Sequence, residues 1–393
     1  MGELIMSILT CIITCLSILY ISGNSSFAVN PYIKWENGPS HETDFFPIAV
    51  WSQSSSNALK YKQIGINTYV GLWKGPTEKQ LSELKKADMK VICHQNDIGL
   101  DHIDDRIIVG WMHSDEPDNA RWLGQDKGYG PPINPQKIID KYIRIQNNDL
   151  TRPVFLNLSQ GVAWDGWYGR GVRTNHPEDY LEYIKGCDIV SFDIYPVVES
   201  NPEIAGKLWY VAEGVNRLVE WSKGQKVIWN CIECTHINNA KRKATTEQVR
   251  AEVWMSIIHG SMGIIYFVHE WQPRFNESAL LSDTEMLSAV TDINQQIAKL
   301  APVLNTPTLK SASSILLENK KVPIAFMIKE YEKQMYLFAV GMSHNNTSAS
   351  FTIDGLKGER LVKVLFENRT IISKDGVFED SFNAWDVHLY QIR

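Results

Sequence analysis

Eight short, almost wholly apolar runs recur between residues 46 and 268, and amphipathic stretches separate them. The runs are Phe46–Trp51, Thr68–Trp73, Lys90–Gln95, Ile107–Met112, Pro153–Asn157, Asp188–Asp193, Lys226–Ile232 and Gly263–Val268. Strands with no polar alternation belong to a sheet covered on both faces, which is the condition of a parallel α/β sheet. Between the runs, helical patterns cover Ser55–Ile64, Thr77–Ala87, Asn134–Asn148 and Thr246–His259. Asn134-Pro135 supplies a cap and a proline at the first helical position. Eight such strands, in a span close to the roughly 250 residues usual for a closed barrel, predict an α/β fold of the (β/α)8 TIM-barrel type over residues 29–302. No glycine-rich phosphate loop follows the first run, which argues against an open nucleotide-binding sheet.

The texture changes after a helical stretch at Asp283–Leu300. Alternating runs follow at Ile324–Ile328, Gln334–Val340, Ala349–Ile353, Leu361–Phe366 and Val387–Tyr390, with turns at Asn345-Asn346, Asp354-Gly355 and Asp375-Gly376. This predicts a small all-β sandwich over residues 303–393, with Ala301-Pro302 marking the boundary.

Residues 1–28 carry an apolar core from Ile8 to Ile21 and end in small and polar residues up to Ala28. That is the pattern of a signal peptide cut after Ala28, and it predicts a secreted or periplasmic protein with no stable membrane insertion after cleavage. An uncleaved anchor is the alternative, because the run is only a little short of the ~18 residues that span a bilayer. Net charge is −6 with no basic tract, so no nucleic-acid partner is expected. Cys93, Cys187, Cys231 and Cys234 each lie in or beside an apolar run, which predicts buried free thiols. Cys231 and Cys234 have CxxC spacing, but no second CxxC or His pair accompanies them to complete a zinc site.

In a closed barrel the residues ending different strands meet at one mouth. The polar residues there include His94, His113, Asp115, Glu116, Asn157, Asp193, Tyr195, Glu233, His269 and Glu270. Glu116 and Glu233 each follow a buried run closely, the fourth and the seventh. Two carboxylates flanking a bond are what glycoside hydrolysis needs, one to protonate the leaving oxygen and one to attack the anomeric carbon or activate water. Thirteen Trp and fifteen Tyr exceed what a core requires, and such rings suit flat amphipathic ligands, of which sugars are the commonest outside the cell. Trp51, Trp73, His94, His113, Asp115, Asn157, Trp164, Trp167, Asp193 and Trp271 are therefore the substrate-binding candidates, for a carbohydrate substrate. The aromatic loop from Gly161 to Arg173 offers Trp164, Trp167 and Tyr168 for stacking, and Arg170 and Arg173 for an acidic substituent.

Asp115-Glu116-Pro117 after the fourth strand and Ile232-Glu233 at the seventh resemble the motifs of the clan A glycoside hydrolases, over roughly residues 45 to 275. That resemblance implies a retaining enzyme acting on β-linked sugars, with Glu116 as acid/base, Glu233 as nucleophile, Tyr195 hydrogen-bonded to Glu233, and Trp271 as the platform under the reacting sugar. It implies no cofactor. The family usually has Asn where this chain has Asp115, and an ionised Asp accepts a hydrogen bond but does not donate one.

Two other readings stay open on these residues. Asp115 keeps alive a carbohydrate-binding barrel without catalysis. A metal-dependent hydrolase would draw on His94, His113 and Asp193, although Trp51-Ser52-Gln53 lacks the His-x-His such barrels carry on the first strand. No metal site is assigned, and oligomeric state is not legible in the sequence. Taken alone, Asp115-Glu116-Pro117 also suits the start of a solvated helix.

Overall fold

The first barrel strand, Ile48–Trp51, pairs in parallel with the last, Ile264–Phe267, through Ile48 opposite Ile264, and this contact closes the barrel. The computed structural model describes residues 30–309 and 313–393; the expected signal peptide lies outside the described residues. Between first and last come Thr68–Val70, Lys90–Cys93, Ile108–Met112, Val154–Leu158, Ile189–Phe192 and a seventh strand in two pieces, Val227–Ile228 and Asn230–Glu233. The first piece pairs with the sixth strand and the second with the eighth. The sequence predicts one unbroken run there. The break falls at Trp229, whose amide donates to Val190 O at 2.9 Å and whose indole Nε1 donates to Tyr32 Oη at 2.7 Å.

Side chains alternate across these strands as a two-sided sheet requires. Ala49, Val70, Ile92, Val109, Phe155, Ile189, Trp229, Cys231 and Ile265 fill the interior, joined by Tyr32 and Trp35 from the N-terminal segment. Ile48, Val91, Trp111, Leu156, Val190, Ile232 and Tyr266 face the helices. The helical ring follows the expected order, with Glu78–Lys86 opened by a capping box at Thr77 and Pro135–Asn148 opened by the Asn134 cap. Between the third and fourth strands only Asp97–Asp101 is α-helical. The four cysteines of the described residues are free and buried, as expected. Cys231 and Cys234 turn to opposite sides of their strand, one toward Asn157 and the other toward Phe267 O. Among the described residues no helix is long and apolar enough to cross a membrane.

Thr246–His259 is buried almost all round because it lies between the barrel and the C-terminal domain. Its Trp254 ring meets Phe338 at 5.4 Å, and Arg250 Nη1 donates to Val387 O at 2.8 Å. The next helix, Thr284–Leu304, runs past Ala301-Pro302 instead of stopping there. Pro302 sits in its last turn and offers no N–H to the carbonyl of Ala298, while Lys329 Nζ donates to Leu304 O at 3.0 Å. The C-terminal domain is an eight-stranded antiparallel sheet rolled on itself. Phe351, near one edge, packs on Phe326 of the opposite edge strand at 6.1 Å and on Tyr390 at 5.8 Å.

Candidate active site

The fourth strand ends at Met112, and the chain then turns sharply instead of entering a helix. Glu116 has φ +39°, a left-handed value that costs a non-glycine residue energy and needs outside support. The support comes from both sides. Glu116 N donates to Asn157 O at 3.2 Å, and two residues on, the buried Asp118 carboxylate accepts from Ser159 N, from Ser159 Oγ at 2.6 Å and from Tyr180 Oη at 2.8 Å. The loop after the fourth strand is thereby bolted to the loop after the fifth.

Asn157, on the fifth strand, points into the mouth and is held by Ser191 Oγ, which donates to its Oδ1 at 2.6 Å. Its Nδ2 donates to Asp193 Oδ1 at 2.8 Å and to Asp115 Oδ1 at 2.9 Å. Tyr195 Oη donates to the other Asp193 oxygen at 3.2 Å, and its ring rests on Phe267 at 5.2 Å. Glu116 has one side-chain donor, Asn119 Nδ2, at 2.9 Å from Oε2.

These carboxyls crowd one another. Burial, and then the charges of Asp193, Asp115 and Asp118, hold the Glu116 carboxyl well above its ordinary value. Burial and Asp115 push Asp193 up to about 8, against the opposing bonds from Asn157 and Tyr195. Asp115 keeps an exposed edge; loss of hydration around its carboxyl and the charge of Asp118 raise it to about 6. The group therefore holds a proton at neutral pH. Two donors on Asp193 and one on Glu116 favour the ionised form of Asp193 over that of Glu116.

Glu116, Asp193 and Tyr195 line a cavity of about 410 Å³ at the mouth, with Gln160, Trp167, Tyr168, Val198, Glu199, Asn239 and Trp271 among its walls. Trp271 is 45% exposed and stacks on Phe267 and His269 with interplanar angles of 24° and 22°. Asn119, Gln160, Glu199 and Asn239 belong to the site without having been expected from the sequence. Asn119 was open to detection, since it lies three residues past Glu116.

Glu233 is elsewhere. It ends the seventh strand as expected, but it is fully buried and its carboxylate accepts from Val197 N at 2.6 Å and Val198 N at 3.0 Å. Its neighbour is the equally buried Glu252. Tyr195 correspondingly bonds Asp193 and not Glu233, because Val197 and Val198 occupy the carboxylate it was expected to orient. The other carboxylates that line the cavity are Asp193, just past the sixth strand, and Glu199; of the two, Asp193 is the one whose charge bears on Glu116.

Several other candidates do not reach the cavity. Trp51 lies in the barrel interior, and Trp164 is buried among the helix-facing residues, with Trp167 at 6.4 Å. His113 is buried, donates Nε2–H to Gly186 O at 2.8 Å, and is driven down to about 3 by burial and by Lys141, so it stays neutral. His94 lines a separate cavity with Lys141 and Arg144, and Trp73 is 75% exposed on the loop after the second strand. Arg170 and Arg173 are both occupied by Asp179 and are not free to meet a substrate anion. Glu270 faces another cavity, with Lys243 and Asp283.

No protein-family model matches the sequence, and no curated protein sequence matches it either. Solved structures do match in shape. An α-amylase from Geobacillus thermoleovorans, solved in complex with acarbose, aligns with TM-score 0.54 at 11% identity over 89% of this chain and 98% of its own. A noncanonic maltogenic α-amylase from Thermotoga neapolitana gives 0.53 at 8%, over 89% and 98%. A putative α-galactosidase from Bacteroides fragilis gives 0.53 at 8%, over 89% and 79%. The chain has the fold of barrel glycoside hydrolases. At these identities the likeness is one of architecture, barrel and trailing β-domain together.

Proposed function

We propose that the protein is a glycoside hydrolase whose working pair is Glu116 and Asp193. The observation that carries this reading is that the two carboxyls line one cavity together with an exposed Trp271 ring. Glu116, the protonated member, donates to the leaving glycosidic oxygen. Asp193, whose ionised form the bonds from Asn157 and Tyr195 favour, attacks the anomeric carbon, and Glu116 then takes a proton from the water that releases the sugar. Retention of configuration is what the Asp115-Glu116-Pro117 resemblance implies, and it calls for a carboxyl separation of about 5 Å. Asp115 shares Asn157 with Asp193 and tunes its charge.

The β-configuration of the bond rests on the Asp115-Glu116-Pro117 resemblance alone, and the structural neighbours include α-amylases, so a substrate screen has to contain both linkages. Action outside the cytoplasm rests on the character of residues 1–28. The test is a screen of α- and β-linked polysaccharides with wild type, Glu116→Gln and Asp193→Asn, following the anomer of the first product by NMR. Hydrolysis by wild type alone, with both variants folded, supports the reading. Full turnover in either variant removes it.

A further inference from the structure

The loop after the fourth strand does more than carry Glu116. It rises into a hairpin whose strands, Arg121–Trp122 and Tyr129–Gly130, are too short to bury a core of their own. Trp122 is 59% exposed and Tyr129 73% exposed, and their rings meet at 5.0 Å and 62°. Large rings offered to solvent as a pair are unusual on a surface with no ligand to bind.

The pair is not adrift from the cavity. Ala120 N, at the base of the hairpin, donates to Gly169 O at 2.8 Å. Asn119 Oδ1 accepts from Trp167 Nε1 at 2.7 Å while its Nδ2 bonds Glu116. Trp167 in turn packs on Tyr168 at 4.6 Å, and both line the cavity. The hairpin that presents Trp122 and Tyr129 is thereby tied at its base to the loop that presents Trp167 and Tyr168. On the loop after the eighth strand, Trp271 continues into Phe275, which is 62% exposed, with ring centres 6.2 Å apart. Loops that follow parallel barrel strands all lie at one end of the barrel, so the hairpin pair and the Trp271–Phe275 rings share the face of the mouth.

We propose that Trp122 and Tyr129 form a distal glycan subsite, and that the cavity is the middle of a longer cleft taking an extended polysaccharide cleaved internally. This rests on the glycoside-hydrolase reading of the cavity. The chemistry fits because a pyranose presents a flat face of C–H bonds rimmed by hydroxyls. An exposed, stiff aromatic ring covers that face at little ordering cost, and successive residues of one chain fall on successive rings.

The experiment is affinity electrophoresis through gels containing soluble starch, xylan, galactomannan or mixed-linkage β-glucan. Wild type, Trp122→Ala/Tyr129→Ala, Glu116→Gln and Asp193→Asn are compared, and circular dichroism checks the fold of each. At least one polysaccharide should retard wild type, and the double hairpin variant should bind it about tenfold more weakly, the scale of losing a well-placed aromatic anchor. The two carboxylate variants should be retarded as wild type. Equal retardation of wild type and the hairpin variant, or no retardation of wild type by any of the four, overturns the subsite. Hairpin-dependent retardation together with undiminished hydrolysis in Glu116→Gln and Asp193→Asn upholds the subsite and overturns the catalytic pair instead.

Discussion

Asn157 and Asp193 are joined by a single 2.8 Å hydrogen bond at the mouth of the barrel. The bond favours the ionised form of Asp193, and the same Nδ2 also holds Asp115.

Asn157→Ala takes that support away, so Asp193 should ionise at higher pH. The acidic limb of the kcat/KM profile is expected to move up, and kcat to fall on the order of 10²-fold as the pair loses its alignment. An unchanged acidic limb would show that Asn157 only fills space.

Replacing the two candidate partners of Glu116 distinguishes them chemically. In Asp193→Ala, added azide has room to attack the anomeric carbon, so activity should return with a glycosyl azide as product. Glu233→Ala leaves Val197 and Val198 without their acceptor and should lose activity through a disordered wall that azide does not restore. Glycosyl azide formed by Glu233→Ala and not by Asp193→Ala would return the nucleophile to the seventh strand.

Glu233 and Glu252 are fully buried side by side, and neither Glu252 oxygen has a hydrogen-bond donor. Two ionised carboxylates offer each other only acceptors, so a proton must sit between them. Burial raises both, Glu233 from 4.5 to about 7. With the folded-state affinity for protons above the unfolded one, the stability this pair adds is complete below pH 4.5 and drains away as pH rises through about 7. Glu252→Gln supplies a donor at every pH, so the fall in Tm between about pH 5 and about pH 8 should be smaller than in wild type. Asp115 and Asp193 contribute their share of that slope to both proteins, so the difference belongs to the buried pair. Parallel Tm curves would refute the shared proton.

Arg152 and Asp149 form an ion pair sealed from water, at 2.8 Å with side-chain exposures of 0% and 1%. Trp111 Nε1 donates to the same Asp149 oxygen, and Arg152 also donates to Ile103 O and Ile108 O, fixing the approach to the fourth strand. Arg152→Met strands the aspartate, and urea unfolding should register a loss of about 3–5 kcal/mol. A loss below about 1 kcal/mol would mean that water reaches the vacated site.

The barrel was legible because each strand is covered on both faces and so reads as an uninterrupted apolar run; Ile108–Met112 and Ile264–Phe267 fall almost where the runs do. Glu116 was legible for a related reason, as a carboxylate just past such a run and beside a proline. Glu233 shows the limit. Its position at a strand end is a property of the run, but the direction of its carboxylate is decided by the amides of Val197 and Val198, contributed by another loop. Trp51, Trp164 and His113 fail likewise, since ring type says nothing about which side of the wall a side chain takes. The split at Trp229 was invisible because its cause, Tyr32, is almost two hundred residues away.

That distance bears on how the chain is made. Tyr32 Oη donates to Met262 O and receives the indole of Trp229, so the first described segment is the plug that seats the seam between the seventh and eighth strands. A ribosome delivers Tyr32 early and its two partners more than half a chain later. Until they emerge, Tyr32 has neither of these partners, so a residue made well ahead of the seam is among the last to find its native contacts.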